Sequence, residues 1–205
     1  MSTANLTRRV ALLGASAMLG GCSAVSALNA SAQPLDTYDL SPAVGGQSGG
    51  GSARTLLVAR PEAPAALATD RIMIKPDPAS ITYLPDARWS DEAPLVLQAL
   101  LIRSLSAAGR LGYVGRSDGG PVPDRVLLVR IDVFQVDVTP DGRLVAGIAC
   151  TLTVLNDRDQ RVIGSRNFAQ SAEAAGDDPA AIVAAFQTVV DSLMPAMTDW
   201  VLARA

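Results

Sequence analysis

Apolar and polar residues alternate with a period of two over the longest patterned stretch of the chain. Successive side chains of an extended strand point to opposite faces, so Leu127, Val129, Ile131 and Val133 share one side of a strand over residues 125–138. Pro140-Asp141-Gly142 is turn chemistry. The return stretch, 144–155, places Leu144, Ala146, Ile148, Cys150, Leu152 and Val154 in one row. A second turn at 156–159 leads to a third strand over 160–171 that carries Val162 and Phe168. The pattern predicts a three-stranded antiparallel meander. Arg130, Asp132 and Asp137 break up the second face of its first strand, while Phe134, Val136 and Val138 keep part of that face apolar.

Ahead of the meander the pattern is shorter. It predicts strands at 35–40, 55–59, 71–75, 81–84 and 111–115, with Pro61, Pro76 and Pro85 ending three of them. Between the fourth and fifth, Leu97, Leu100, Leu101, Leu105 and Ala108 recur at helical spacing. Ser90 or Asp91 would cap that helix, Pro94 falls in its first turn, and Gly109 suits its C-terminal cap. A second helix runs from Pro179 to about Leu202, capped by Asp178, with Ile182, Phe186, Val189, Leu193, Met197 and Trp200 as its apolar stripe. Pro195 lies inside it and is expected to kink it or end its first segment. The order of elements predicts an α+β fold: a mixed, mainly antiparallel sheet with two main helices packed on one face.

The N-terminus follows a different pattern. Arg8 and Arg9 precede an apolar run of about ten residues, half the length of roughly 20 that a membrane-spanning helix needs. A basic start and a short apolar run read as a secretory signal peptide over residues 1–21. Its end, Leu19-Gly20-Gly21-Cys22, resembles the bacterial lipobox. There the Cys22 sulfur is the nucleophile that takes a diacylglyceryl group, and the two glycines leave room for the signal peptidase. Cleavage frees an amine for a further acyl chain. Buried acyl chain contributes about 0.8 kcal/mol per methylene, so two or three chains anchor stably where one does not. Ser23 follows the cysteine where an aspartate would resemble an inner-membrane retention signal, which points to the outer membrane. Residues 22–34 read as the lipidated start and a flexible tether, and 35–205 as one domain interrupted by a Gly/Ser-rich loop at 44–53. That loop lacks phosphate-binding spacing and a following Lys-Ser/Thr.

Composition narrows the chemistry. The chain has 205 residues, no histidine, two cysteines and a net charge of −3. The charge gives no electrostatic case for nucleic acid, and the usual proton shuttle and commonest metal ligand are missing. Lys75 is the sole lysine and has no serine placed beside it. No nucleophile motif, metal-ligand spacing or cofactor motif stands out, so no enzyme, metal site or cofactor is expected. With Cys22 acylated, Cys150 has no disulfide partner, and its apolar row makes it a core residue.

The order and spacing of several segments resemble the ABC-type transport auxiliary lipoproteins, the PqiC-like family. These are the Cys22 lipobox, "YDL" at Tyr38, "LLVARP" at Leu56, "TDRIMI" at Thr69, "ITYLPDARWSDEAPLVL" at Ile81, "VLLVRIDVFQVD" at Val126 and the helix ending near Trp200. The resemblance implies a non-catalytic outer-membrane lipoprotein, facing the periplasm, that docks the periplasmic Mce protein of an ABC transporter for lipids or other hydrophobic molecules. The permease and ATPase would be indirect partners, and a homo-oligomer is open. An assembly lipoprotein of another envelope complex, or a periplasmic enzyme, are the rival readings. Tyr83 and Trp89 are the candidate partner contacts, because aromatic residues beside a proline-limited strand suit an interface. Trp89 packing against the first helix is the alternative.

Replacing the acylation nucleophile gives the test of the anchor. Cys22→Ser should abolish incorporation of radiolabelled fatty acid and leave the precursor unprocessed or mislocalised. Equal label in both proteins would show that the lipobox reading is mistaken.

Overall fold

The computed structural model describes residues 35–43 and 51–205. Leu19, Gly20, Gly21 and Cys22, the signal and tether, and most of the Gly/Ser-rich loop lie outside the described residues. The strands are β1 (Asp36–Tyr38), β2 (Ser52–Val58), β3 (Arg71–Lys75), β4 (Thr82–Trp89), β5 (Leu111–Arg116), β6 (Arg125–Val138), β7 (Leu144–Asn156) and β8 (Val162–Glu173). The helices are α1 (Ala93–Ala107) and α2 (Pro179–Leu202), with a single 3-10 turn at Ala65–Leu67. This is the α+β fold expected from the pattern: an 8-stranded mixed sheet with both helices on one face. The short pairings are mostly parallel, and the long β6–β7 and β7–β8 ladders are antiparallel.

β6 is the spine. One of its edges pairs with β7 from Arg125↔Asn156 to Val138↔Leu144. Its other edge is shared end to end. β2 takes the first residues, Leu56↔Arg125 to Val58↔Leu127, and β3 takes the last, Ile74↔Val136 and Lys75↔Asp137. Between them the connecting segment stays hydrogen-bonded to β6, with Glu62 N–H donating to the Val129 carbonyl at 2.9 Å and Ile131 N–H to the Glu62 carbonyl at 2.8 Å.

The alternation along β6 does not run through. Ile131 pairs with Cys150, but Val133 pairs with the adjacent Ala149, so Asp132 is the extra residue of a β-bulge. Leu127, Val129 and Ile131 are buried as the period predicts, whereas Val133 is only half-buried and Phe134 and Val136 enter the core. The expected faces are therefore exchanged beyond the bulge, because one inserted residue moves every later side chain to the opposite side. A second irregularity, between Val154 and Leu155, does the same to β8: Phe168 is buried, but Val162 is 55% exposed.

β4 is longer than the strand expected at 81–84 and continues to Trp89. β3 advances from Arg71 to Met73 while β4 covers Arg88 to Tyr83, so Pro85 and Asp86 sit in a bulge where no ladder donor is required. Asp86 takes the positive φ of 57° that the bulge demands. Leu84, Ala87 and Trp89 then face inward. β2 begins at Ser52, so the end of the Gly/Ser-rich segment is strand.

Both helix caps differ in kind. Asp178 Oδ1 accepts from Ala181 N–H at 3.0 Å, as expected for α2. The start of α1 is held instead by main chain, with Ala93 N–H donating to the Thr69 carbonyl at 3.0 Å. Gly109 adopts φ +62° just beyond α1, a conformation that suits glycine. α2 runs unbroken through Pro195; the carbonyl of Asp191, which loses its bond there, belongs to an exposed residue that water can reach. By length and composition α2 passes for a membrane span, but Ile182, Phe186, Val189, Met197 and Val201 are buried in the domain core.

Trp89, Phe134 and Phe186 meet at the centre of that core. Trp89 stands edge-on to Phe134 at 5.7 Å and to Phe186 at 5.1 Å, and the two phenylalanines stack at 5.4 Å. Such pairs contribute about 0.5–1.5 kcal/mol beyond their burial. Deeper in α1, the buried Gln98 donates to the Val58 carbonyl at 3.0 Å, which satisfies the end of β2. Cys150 is fully buried, and burial, with a smaller contribution from the Asp132 carboxylate, pushes its thiol up to about 12.

Two outcomes follow from this core. Trp89→Ala should cost about 3–5 kcal/mol in chemical denaturation, the range for a large aromatic lost from a packed core; a loss under 1 kcal/mol would contradict the ring cluster. Cys150, protonated and buried, should resist thiol reagents at neutral pH until denaturant unfolds the domain, and rapid labelling of the native protein would show the register to be wrong.

Candidate functional site

β4 carries both aromatic residues singled out as partner contacts, and the fold separates them. Trp89 is 1% exposed and belongs to the core, so it is corrected from a candidate contact to a packing residue. Bulging at Pro85–Asp86 turns it inward. Tyr83 is half-buried; its hydroxyl donates to the Ala66 carbonyl at 3.2 Å and ties β4 to the 3-10 turn. Part of its ring stays at the surface.

Beside the Trp89 backbone lies an open cleft of about 490 Å³, lined among others by Thr37, Asp70, Arg88, Ser90 and Glu92. It is polar, and arginines engage several of the carboxylates in and around it, whereas Asp91, which also lines it, accepts from Glu92 N–H at 2.8 Å. Arg88 lies 3.6 Å from Asp70 and donates to Thr37 Oγ1 at 3.1 Å. Arg60 pairs with Glu92. Arg103 lies 3.6 Å from Asp39 and donates to the Leu40 carbonyl at 3.0 Å, while Ser90 Oγ donates to Asp39 at 3.2 Å. This network ties β1, β4, α1 and the chain before β3 together. Arginine stays protonated at any physiological pH and offers no proton to exchange. Among the described residues no group of three or more His, Cys, Asp or Glu side chains is placed to hold a metal ion.

The face of the meander turned away from the helices is the other candidate surface. Arg130 and Asp132 pair across it at 3.0 Å, and Thr153 and Ser165 share a hydrogen bond of 2.8 Å. Gly147, Ala149, Ala169 and Ser171 floor a shallow cleft of about 310 Å³ next to Val133. Leu128 is 40% exposed on the neighbouring part of β6. The sequence pattern had assigned Phe134 and Val136 to this face; with the bulge they leave it, and the face is smaller in side chain and more polar than the alternation implies.

The geometry thus offers surfaces and a tied-down polar cleft, and comparison with known proteins adds the fold and the family. The crystal structure of XCC0632 from Xanthomonas campestris, of the family DUF330, superposes with a TM-score of 0.75 at 24% identity, covering 82% of this chain and 96% of that one. The hypothetical protein CT253 from Chlamydia trachomatis superposes at 0.51 with 10% identity, covering 75% and 98%. These two likenesses concern the fold. An uncharacterized protein of Bradyrhizobium diazoefficiens, bll6063, is 27% identical over 187 residues, 89% of this chain; the chain spans about half the length of that relative, 49%. Residues 38–198 match the family model of the ABC-type transport auxiliary lipoprotein component, from Tyr38 beside the cleft to Thr198 in α2, and the chain belongs to that family.

Proposed function

We propose that this protein is the non-catalytic, lipid-anchored subunit that docks the periplasmic Mce protein of an ABC transport system, at the outer membrane, for lipids or other hydrophobic molecules moving between the two membranes. The observation that carries the proposal is the coincidence of two features in one chain. The auxiliary-lipoprotein match spans the folded domain, and Leu19-Gly20-Gly21-Cys22 precedes it with the order of a lipobox. In this reading residues 1–21 are removed, Cys22 is acylated, and 22–34 tether the domain 35–205 to the membrane.

Two observations support a docking role over catalysis. Arginines pair with Asp70 and Glu92 in the polar cleft and with Asp39 beside it, contacts that hold strands together and suit a structural use of these carboxylates. The clefts described above are open and floored by polar or small side chains, whereas a lipid carrier needs an enclosed apolar cavity. Tyr83, with its ring partly at the surface and its hydroxyl anchored, is the aromatic contact retained from the pair.

Binding of the full chain in detergent to a purified periplasmic Mce protein of the same organism is the direct test. Complex formation is expected. Tyr83→Ala should weaken it about tenfold, equal to about 1.4 kcal/mol, while Tyr83→Phe, which keeps the ring, should bind as the wild type does. Failure of the wild type to bind would remove the Mce assignment. Equal binding by all three proteins would remove Tyr83 from the interface.

A further inference from the structure

We propose that the free edge of β8 receives an extended, acidic segment of the periplasmic partner as an added strand, with Arg166 and Arg204 pairing carboxylates at alternate positions of that segment. This rests on the docking role above and names a second contact surface, at the other end of the sheet from β1 and β4.

Among the described residues β8 pairs with β7 alone. It is 12 residues long, where strands commonly run to about five or six. Its sequence, VIGSRNFAQSAE, has neither lysine nor proline, the residues that ordinarily guard an exposed edge. α2 packs on its inner face, fixed by Gln170 Nε2 donating to Ser192 Oγ at 3.0 Å, and among the described residues no second strand pairs with its outer edge. A row of unpaired backbone N–H and C=O groups is complementary to one chemistry, an extended main chain.

The charge comes from two stacked guanidinium groups. Arg166 lies 4.8 Å over the Phe168 ring, Phe168 meets Trp200 edge-on at 5.8 Å, and Arg204 lies 4.4 Å over the Trp200 ring. Gly164 makes the last contact possible, because a Cβ there would stand 2.9 Å from Arg204 Nε. Arg204 therefore sits above position 164 and Arg166 two positions further along the same face. That offset is about 6.6 Å along a strand, the spacing of same-side residues on an added strand. Neither guanidinium is in an ion pair among the described residues; Arg204 Nη1 donates to the Trp200 carbonyl at 3.0 Å. Held over the rings, each guanidinium still carries N–H groups that can donate to a carboxylate. A second copy of β8 does not supply that acid: its one carboxylate, Glu173, is held by Arg143 at 2.8 Å.

Hydrogen exchange of the full chain in detergent micelles, with and without a purified periplasmic Mce protein of the same organism, tests the proposal. Peptides covering 162–173 should exchange about tenfold more slowly in the complex, and Arg166→Glu should raise Kd about tenfold with an unchanged melting temperature. Binding that leaves β8 exchange untouched and tolerates Arg166→Glu overturns the edge and leaves the docking role intact. No binding by the wild type overturns both. Protection of β8 that grows with protein concentration in the absence of the Mce protein overturns the proposal in favour of a second copy.

Discussion

The single extra residue at Asp132 decides how this domain packs. Up to Ile131 the inner face of β6 is aliphatic; beyond it the bulge reverses the alternation and sends Phe134 and Val136 inward. Phe134 is the member of the aromatic cluster through which the spine of the sheet reaches both Trp89 on β4 and Phe186 on α2. Without the bulge Phe134 would face away from the helices, and the aliphatic residues of α2 would close over a gap. A β-bulge also increases local twist. β6 changes partner along the opposite edge at the same stretch, passing from β2 through the Glu62 segment to β3.

The same economy governs the polar side of the molecule. Its ion pairs lie at the surface, where each contributes little to stability. Around the cleft they connect segments distant in sequence: Asp39 with Arg103, Asp70 with Arg88, Glu92 with Arg60. They act as registers for β1 and α1 more than as sources of energy. An arginine-rich chain suits that purpose, since the planar guanidinium fork can pair with a carboxylate and a second acceptor at once.

For a family of auxiliary transport lipoproteins, such a domain makes physical sense. The long helix α2, apolar enough to enter a bilayer, is instead consumed as core. What the domain offers outward is edges, small polar side chains and stacked arginines.

Much of this was legible in the chain itself. Period-two and helical spacing located the meander and both helices, and Asp178 and Gly109 marked helix ends, because these signals act within a few residues. The order of segments around "ARW" carried the family, whose model matches residues 38–198. The buried Cys150 followed from its row on β7. Contacts between distant segments lay beyond that reach. The bulge at Asp132 exchanged the faces of β6, and the bulge at Pro85–Asp86 turned Trp89 from a candidate contact into the core. The irregularity near Leu155 exposed Val162. The stacking of Arg166 and Arg204 required a helix end to settle on Gly164. In each case the deciding quantity is where one strand gains a residue against its neighbour. Local sequence fixes the tendency to extend or coil, but only the assembled sheet fixes register, and register decides which side chains are left for a partner.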